Sequence, residues 1–291
     1  MPDEVSALQQ AQQKLEELLN AARDGSLIPI RLPGQIEEIH NLLDEAQTEQ
    51  QEAAATAGVD GDYLQEEAYF VGHAVHELRT PMTSIRGYSD MLGQMGELND
   101  MQKQFLDVIK TNSRRMEGLL SDVSFINKIR NQSLQIAQKM DMFKNIAMKV
   151  EKDMQPRAEE LNRQLEFDIP QGLPILNTDG DMLALAITKL VENGLQYSPE
   201  GEGKVVVKGA TEGKHLVVHV TDNGIGMTPE EIAQLGTIYY RSERDEVRAY
   251  KGSGLGIPIA FGMVELLRGT IEVDSKPDSG TTFTIRIEGL S

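Results

Sequence analysis

A seam of mainly apolar residues returns at heptad spacing twice in this chain, and that pattern restricts the fold more than any other feature. The first stripe is Phe70, Ala74, Leu78, Pro81, Ile85, Tyr88 and Leu92; the second is Phe105, Ile109, Asn112, Met116, Leu119, Val123 and Ile126. Steps of four and three place each set on one face of a helix. The stretch between them, 93–99, holds two glycines and suits a hairpin turn. Two antiparallel helices with one seam each cannot bury that surface alone. Two such hairpins packed as a four-helix bundle can, so the pattern predicts a homodimer. Pro81 removes a backbone donor and is expected to break and bend the first helix.

Beyond the second helix the pattern changes. Segments 204–208, 215–222, 270–274 and 281–287 are rich in Val, Ile and Thr and are predicted strands, while 181–197 and 258–267 are predicted helices. The expected fold class is therefore α plus α/β: a dimeric helical hairpin at 63–135, then an α/β sandwich at 136–291. Residues 1–62 are predicted to form a helical linker, with helices at 4–22 and 36–51 separated by Pro29 and Pro33. A coiled coil and a degenerate form of the HAMP signalling linker both fit that segment.

Composition limits the function classes. The net charge is −18, and 1–70 alone holds fifteen acidic residues against Lys14, Arg23 and Arg31. Such a surface repels phosphate backbones, so no direct nucleic-acid binding is expected. No run of 18 apolar residues and no signal-peptide pattern occurs, so the expectation is a cytoplasmic chain without a membrane span. With no cysteine, disulfides and thiolate metal sites are excluded.

Chemistry is concentrated in five short motifs. In the first, His76-Glu77-Leu78-Arg79-Thr80-Pro81, His76 lies two residues from each of Ala74 and Leu78, about 200° around the helix. It should face solvent. Imidazole suits reversible phosphotransfer because a ring nitrogen is nucleophilic near neutral pH. Glu77 beside it could accept the proton of the other nitrogen.

The other four motifs follow in order. Asn193 lies in a predicted helix, and Asp222-Asn223-Gly224-Ile225-Gly226 ends an apolar strand. There a carboxylate can accept an adenine amino group while Gly224 and Gly226 let the backbone approach the base. Gly252-Ser253-Gly254-Leu255-Gly256 precedes a helix, where backbone N–H groups and the helix dipole favour phosphates. The side-chain oxygen of Asn193 suits a Mg²⁺ held through those phosphates. Gly280-Thr281-Thr282-Phe283 closes the series.

In this order the motifs resemble those of the sensor histidine kinases of two-component systems. The first is similar to their phosphoacceptor box, the others to the N, G1, G2 and G3 boxes of their Bergerat-type ATPase domain. The resemblance covers 63–291. It implies ATP and Mg²⁺ as cofactors, autophosphorylation of His76, and transfer to an aspartate of a response-regulator receiver domain. It further implies an ATP lid at 228–251 with Arg241 near the γ-phosphate, and nucleotide contacts from Asn193, Tyr197, Asp222, Gly224, Gly226, Gly252, Gly254, Leu255, Gly256 and Thr282. Arg244, Arg248 and Lys251 are assigned to lid surface charge. Thr80 matches the position that orients a dephosphorylating water in related kinases, and fits equally as part of the Arg-Thr-Pro bend.

Two departures from the family pattern flank the triphosphate region. Lys189 stands where an asparagine is usual, and Gln196 where Lys or His is usual. They keep other readings open: a nucleotide-binding regulatory scaffold, or a phosphatase-biased homologue with weak kinase activity. An ATPase of the gyrase and heat-shock chaperone group fits less well, because Lys189 occupies the position of its catalytic glutamate and the His76 box goes unused.

Overall fold

The computed structural model describes residues 61–94, 96, 98–248, 250 and 252–290, with scattered positions between 10 and 39; at 61–74 and 77 it describes the backbone alone. Most of the expected 1–62 linker thus lies outside the described residues. The chain divides into two compact units, Met1–Asn131 and Gln132–Ser291.

In the first unit, helix α1 (Gly61–Gln94) and helix α2 (Asp100–Arg130) form the expected hairpin. An Asn99–Gln102 capping box starts α2, satisfying N–H groups that the first turn leaves unpaired. Asp90 pairs with Lys110 and Arg86 with Glu117, so the two helices run antiparallel. Pro81 does not break α1, which continues through it. Hydroxyls after the proline bond back to carbonyls of the preceding turn, Thr83 to Arg79 at 2.9 Å and Ser84 to Thr80 at 3.3 Å.

The hairpin's buried face keeps Leu78, Met116 and Ile126 of the expected seam, with Ile85 and Val123 packed against its core, and elsewhere turns by one residue. Val75, Leu78, Met82 and Ser89 are buried on α1, and Leu106, Ser113, Met116 and Leu120 on α2. Small serines allow the helices to pack closely, and a count of large apolar residues overlooks them. Part of this face is covered by Ala11, Leu18 and Ile39, which join Val75, Leu78, Met82, Met116 and Leu120 in one core. Large side chains of the neighbouring stripe point outward near the hairpin loop: Tyr88, Leu92 and Phe105 are 69%, 54% and 61% exposed.

The second unit begins with strand β1 (Lys139–Met142), helix α3 (Phe143–Glu160), strand β2 (Gln164–Asp168) and strand β3 (Ile175–Thr178). Helix α4 (Gly180–Tyr197) leads to strands β4 (Lys204–Glu212) and β5 (His215–Asp222). Short helices α5 (Pro229–Ala233) and α6 (Asp245–Arg248) precede helix α7 (Gly256–Leu266) and strands β6 (Thr270–Ser275) and β7 (Thr281–Glu288). A five-stranded sheet runs in the order β2-β4-β5-β7-β6, parallel between β2 and β4 and antiparallel elsewhere, and β1 pairs with β3 apart from it.

Alternation along the strands separates the faces. Val205, Val207, Val218, Val220, Phe283 and Ile285 are buried where α4 and α7 cover the sheet. The opposite face carries ion pairs such as Lys204–Glu166 and Arg286–Glu272, each of little net stability when exposed. Helix α4 holds the layers together. Asp179 caps its N-terminus through the Asp181 and Met182 N–H groups, and Met182, Leu183, Ile187, Leu190 and Leu195 are buried along it.

Leu190→Ala should therefore destabilise the second unit by about 2–5 kcal/mol, and Leu190→Met by less than about 1.5 kcal/mol. Urea unfolding followed by circular dichroism checks the pair.

Candidate functional site

The site in the second unit is built where the C-terminal turns of α4 cross the end of β5. Lys189, Asn193 and Tyr197 recur at four-residue steps and are half-buried along one edge of α4. Gly194 permits the crossing: a Cβ there would lie 3.0 Å from Val205 Cγ2 and 3.2 Å from Asp222 Cβ. The close approach places Asp222 one residue from Asn193 across the interface.

Asp222 is half-buried. Its Oδ1 accepts the N–H groups of Gly224 at 2.8 Å and Thr281 at 3.2 Å, leaving Oδ2 open among the described residues. Withdrawal from solvent pushes the carboxyl up to about 6, against the pull of those two donors. An open oxygen on a fixed, poorly solvated carboxylate is suited to an amino group such as that of adenine.

Neighbouring segments fix the loop after Asp222. Ile225 donates to the Tyr197 carbonyl at 3.2 Å, and Asn223 ties the loop to β4 through Lys204 N–H at 2.8 Å. Gly226 adopts φ +59°, and a Cβ there would lie 1.9 Å from the Lys276 carbonyl oxygen, so glycine is required. Gly224 sits under Tyr197, where a Cβ would come 2.7 Å from its carbonyl oxygen.

The glycine-rich turn at 252–256 lies beside these residues. A Cβ on Gly252 would be 3.6 Å from the Tyr197 hydroxyl and 3.9 Å from Arg241 Nε. Gly254, at φ +70°, packs on the Tyr239 backbone, and a Cβ on Gly256 would lie 3.9 Å from Lys189 Cδ. No side chain caps α7, which leaves its first N–H groups available to an anion. Leu255 contributes differently from the expectation. Its side chain is fully buried, so only its backbone can meet a ligand.

Three other expectations change with the geometry. Thr282 lies on the opposite face of the sheet, bonded to the Thr221 hydroxyl at 3.0 Å. Strand alternation gives the Asp222 side to Thr281 instead. Arg241 lies next to the glycine turn, but its guanidinium donates to the Tyr250 carbonyl at 2.5 Å and the Val247 carbonyl at 3.4 Å. Arg244 is more than surface charge: it donates to the Gly226 carbonyl and Glu231 at 3.2 Å each and to Glu246 at 2.7 Å. It therefore clasps the 228–251 segment to the Asp222 loop. Its partners Glu231 and Gly226 lie 13 and 18 positions away, beyond local spacing, although the Thr228–Glu231 capping-box spacing is a cue readable in the sequence. Tyr197 and Tyr250 meet edge to face, with centroids 5.3 Å apart.

In the first unit, His76 is exposed on α1 between buried Val75 and Leu78, and Thr80 is exposed one turn later. The Glu77 side chain lies outside the described residues. No helix among the described residues is long and apolar enough to cross a membrane.

The folded value of Asp222 lies above its ordinary 3.8, so the native state holds that proton longer. Its contribution to stability is then full below pH 4 and declines as pH rises through about 6. Asp222→Asn should remove this slope, worth at most about 3 kcal/mol, in melting curves recorded from pH 4 to 7.

Two family models match the chain, one for the His Kinase A (phospho-acceptor) domain at 66–132 and one for the histidine kinase-, DNA gyrase B-, and HSP90-like ATPase at 178–289. Among curated proteins, the chain is 27% identical to the histidine protein kinase DivJ of Caulobacter vibrioides and 27% identical to the sensor histidine kinase WalK of Bacillus subtilis. Each alignment covers 77% of this chain and 37% of the relative, so the chain spans well under half of either. Among solved structures, full-length ShkA in complex with AMPPNP gives a TM-score of 0.64 at 18% identity, over 77% of this chain and 46% of that one. The Acinetobacter baumannii histidine kinase AdeS gives 0.52 at 21% identity, over 74% and 98%. With the phosphoacceptor and ATPase domains matched in that order over more than half of its length, the chain belongs to the sensor histidine kinases.

Proposed function

We propose that this chain uses ATP to phosphorylate His76 and passes the phosphoryl group to an aspartate of a response-regulator receiver domain. The observation that carries the reading is one chain with both an exposed histidine in a phosphoacceptor hairpin and a half-buried, open-sided carboxylate in an ATPase domain. Adenine is read by Asp222 Oδ2 over Gly224, and the phosphates lie toward Gly252, Gly254, Gly256 and the start of α7. The half-buried Asn193 amide makes no hydrogen bond among the described residues. It would hold a Mg²⁺, and the ion would supply charge neutralisation at the phosphates.

In the transfer, a ring nitrogen of His76 bonds to the γ-phosphorus as the bond to the β–γ bridging oxygen breaks and ADP departs. Glu77 is the proposed acceptor of the proton on the other ring nitrogen, and Thr80 the residue that orients a water to hydrolyse the partner's phosphoaspartate in a separate reaction that releases inorganic phosphate. Arg241 reaches the γ-phosphate on exchanging its lid carbonyls for a phosphate oxygen. We also infer a homodimer. Tyr88, Met91, Leu92, Met101, Phe105 and Val108 are all more than half exposed near one end of the hairpin, and contiguous apolar surface of this kind favours association. The second reading, a nucleotide-binding scaffold, is favoured by Lys189 in place of asparagine.

Incubation with radiolabelled ATP and Mg²⁺ should give acid-labile label on the wild type and none on His76→Gln. Asp222→Ala should weaken ATP binding by about 10–100-fold. Binding without label would favour the scaffold.

A further inference from the structure

Lys189 has a role at the nucleotide site that rests on the ATP-site reading above. Its side chain is only 12% exposed, although it ends in an ammonium, while the Glu192 carboxylate it meets at 3.2 Å is 46% exposed. A surface pair one helical turn apart is weak and does not by itself draw an ammonium inward. The stem of the lysine reaches the start of α7: Cδ stands 3.9 Å from where a Cβ on Gly256, the first residue of that helix, would lie. Two further bonds carry the ammonium on from there.

The other charges around the pocket are held differently. Arg241 is bonded to lid carbonyls, Arg244 to Glu231 and Glu246, and Asp222 lies at the opposite, base-binding end. Lys189 is on a rigid helix, four residues before Asn193, and its position does not depend on how the lid closes. A fixed ammonium neutralises phosphate oxygens as a point charge does, with three donors to distribute among them.

We propose that Lys189 is a built-in counter-charge for the terminal phosphates of the nucleotide, so that this chain holds ATP with weak dependence on a divalent cation. Glu192 keeps the ammonium at the mouth of α7 until phosphate replaces it as partner.

The test is ATP affinity, measured by calorimetry on the full chain with Mg²⁺ and again with EDTA, for wild type, Lys189→Asn and Glu192→Gln. The ratio of the two affinities within one protein is insensitive to a partly unfolded sample. Wild type and Glu192→Gln should lose less than about threefold on removal of Mg²⁺, and Lys189→Asn more than about tenfold. A wild type that loses as much as Lys189→Asn overturns the proposal. So does a Glu192→Gln variant that behaves like Lys189→Asn, since the lysine would then serve only the pair. Absence of ATP binding by the wild type in both buffers overturns the site reading together with the proposal, which separates that failure from the first two.

Discussion

The second unit depends on one carboxylate held in place by backbone donors. Asp222 Oδ1 takes the N–H groups of Gly224 and Thr281, so the end of β5, the loop after it and the start of β7 are joined at a single atom. Around that atom the chain tolerates almost no side chain. A Cβ on Gly280 would come 2.0 Å from the Asp222 carbonyl oxygen, and one on Gly194 would press on Asp222 Cβ. The same crowding that excludes side chains excludes water, and the carboxyl is pushed up to about 6 as a result. Binding geometry and electrostatics therefore share one cause: close backbone packing around a charged group.

The first unit depends on the division of its apolar surface into two stripes. One, with Val75, Leu78, Met82, Met116 and Leu120, closes the hairpin core and takes in Ala11, Leu18 and Ile39. The other, with Tyr88, Leu92 and Phe105, remains outward. His76 belongs to neither stripe, which leaves it exposed on an otherwise well-anchored helix. A phosphoacceptor needs that combination of rigid support and open access.

Sequence made the two helices, the strands at 204–208, 215–222, 270–274 and 281–287, and the order of the motifs legible, because periodicity and glycine spacing are local properties. What it hid was set by tertiary contact. β1, β2 and β3 are short, and their strand pairing is not written in their own residues. Part of the hairpin's buried face is turned by one residue from the apolar stripe, as at Ser89 and Ser113, which count as polar in any pattern although both are buried. The family resemblance implies Thr282, whereas strand phase puts Thr281 on the Asp222 side, and the clasp made by Arg244 joins residues 13 and 18 positions apart, which no local spacing signals. The family resemblance implies a nucleotide contact at Leu255, whose side chain the fold uses as core.

The proposed role of Asp222 is that of a half-buried, single-sided acceptor for the base of ATP. Carbon-detected NMR titration of its carboxyl group, with and without ATP, tests this most directly. A midpoint near 6 is expected in the free protein, lowered when ATP is bound because an amino donor favours the charged form. A midpoint at the ordinary carboxylate value near 4, or one that ATP leaves unmoved, would contradict it.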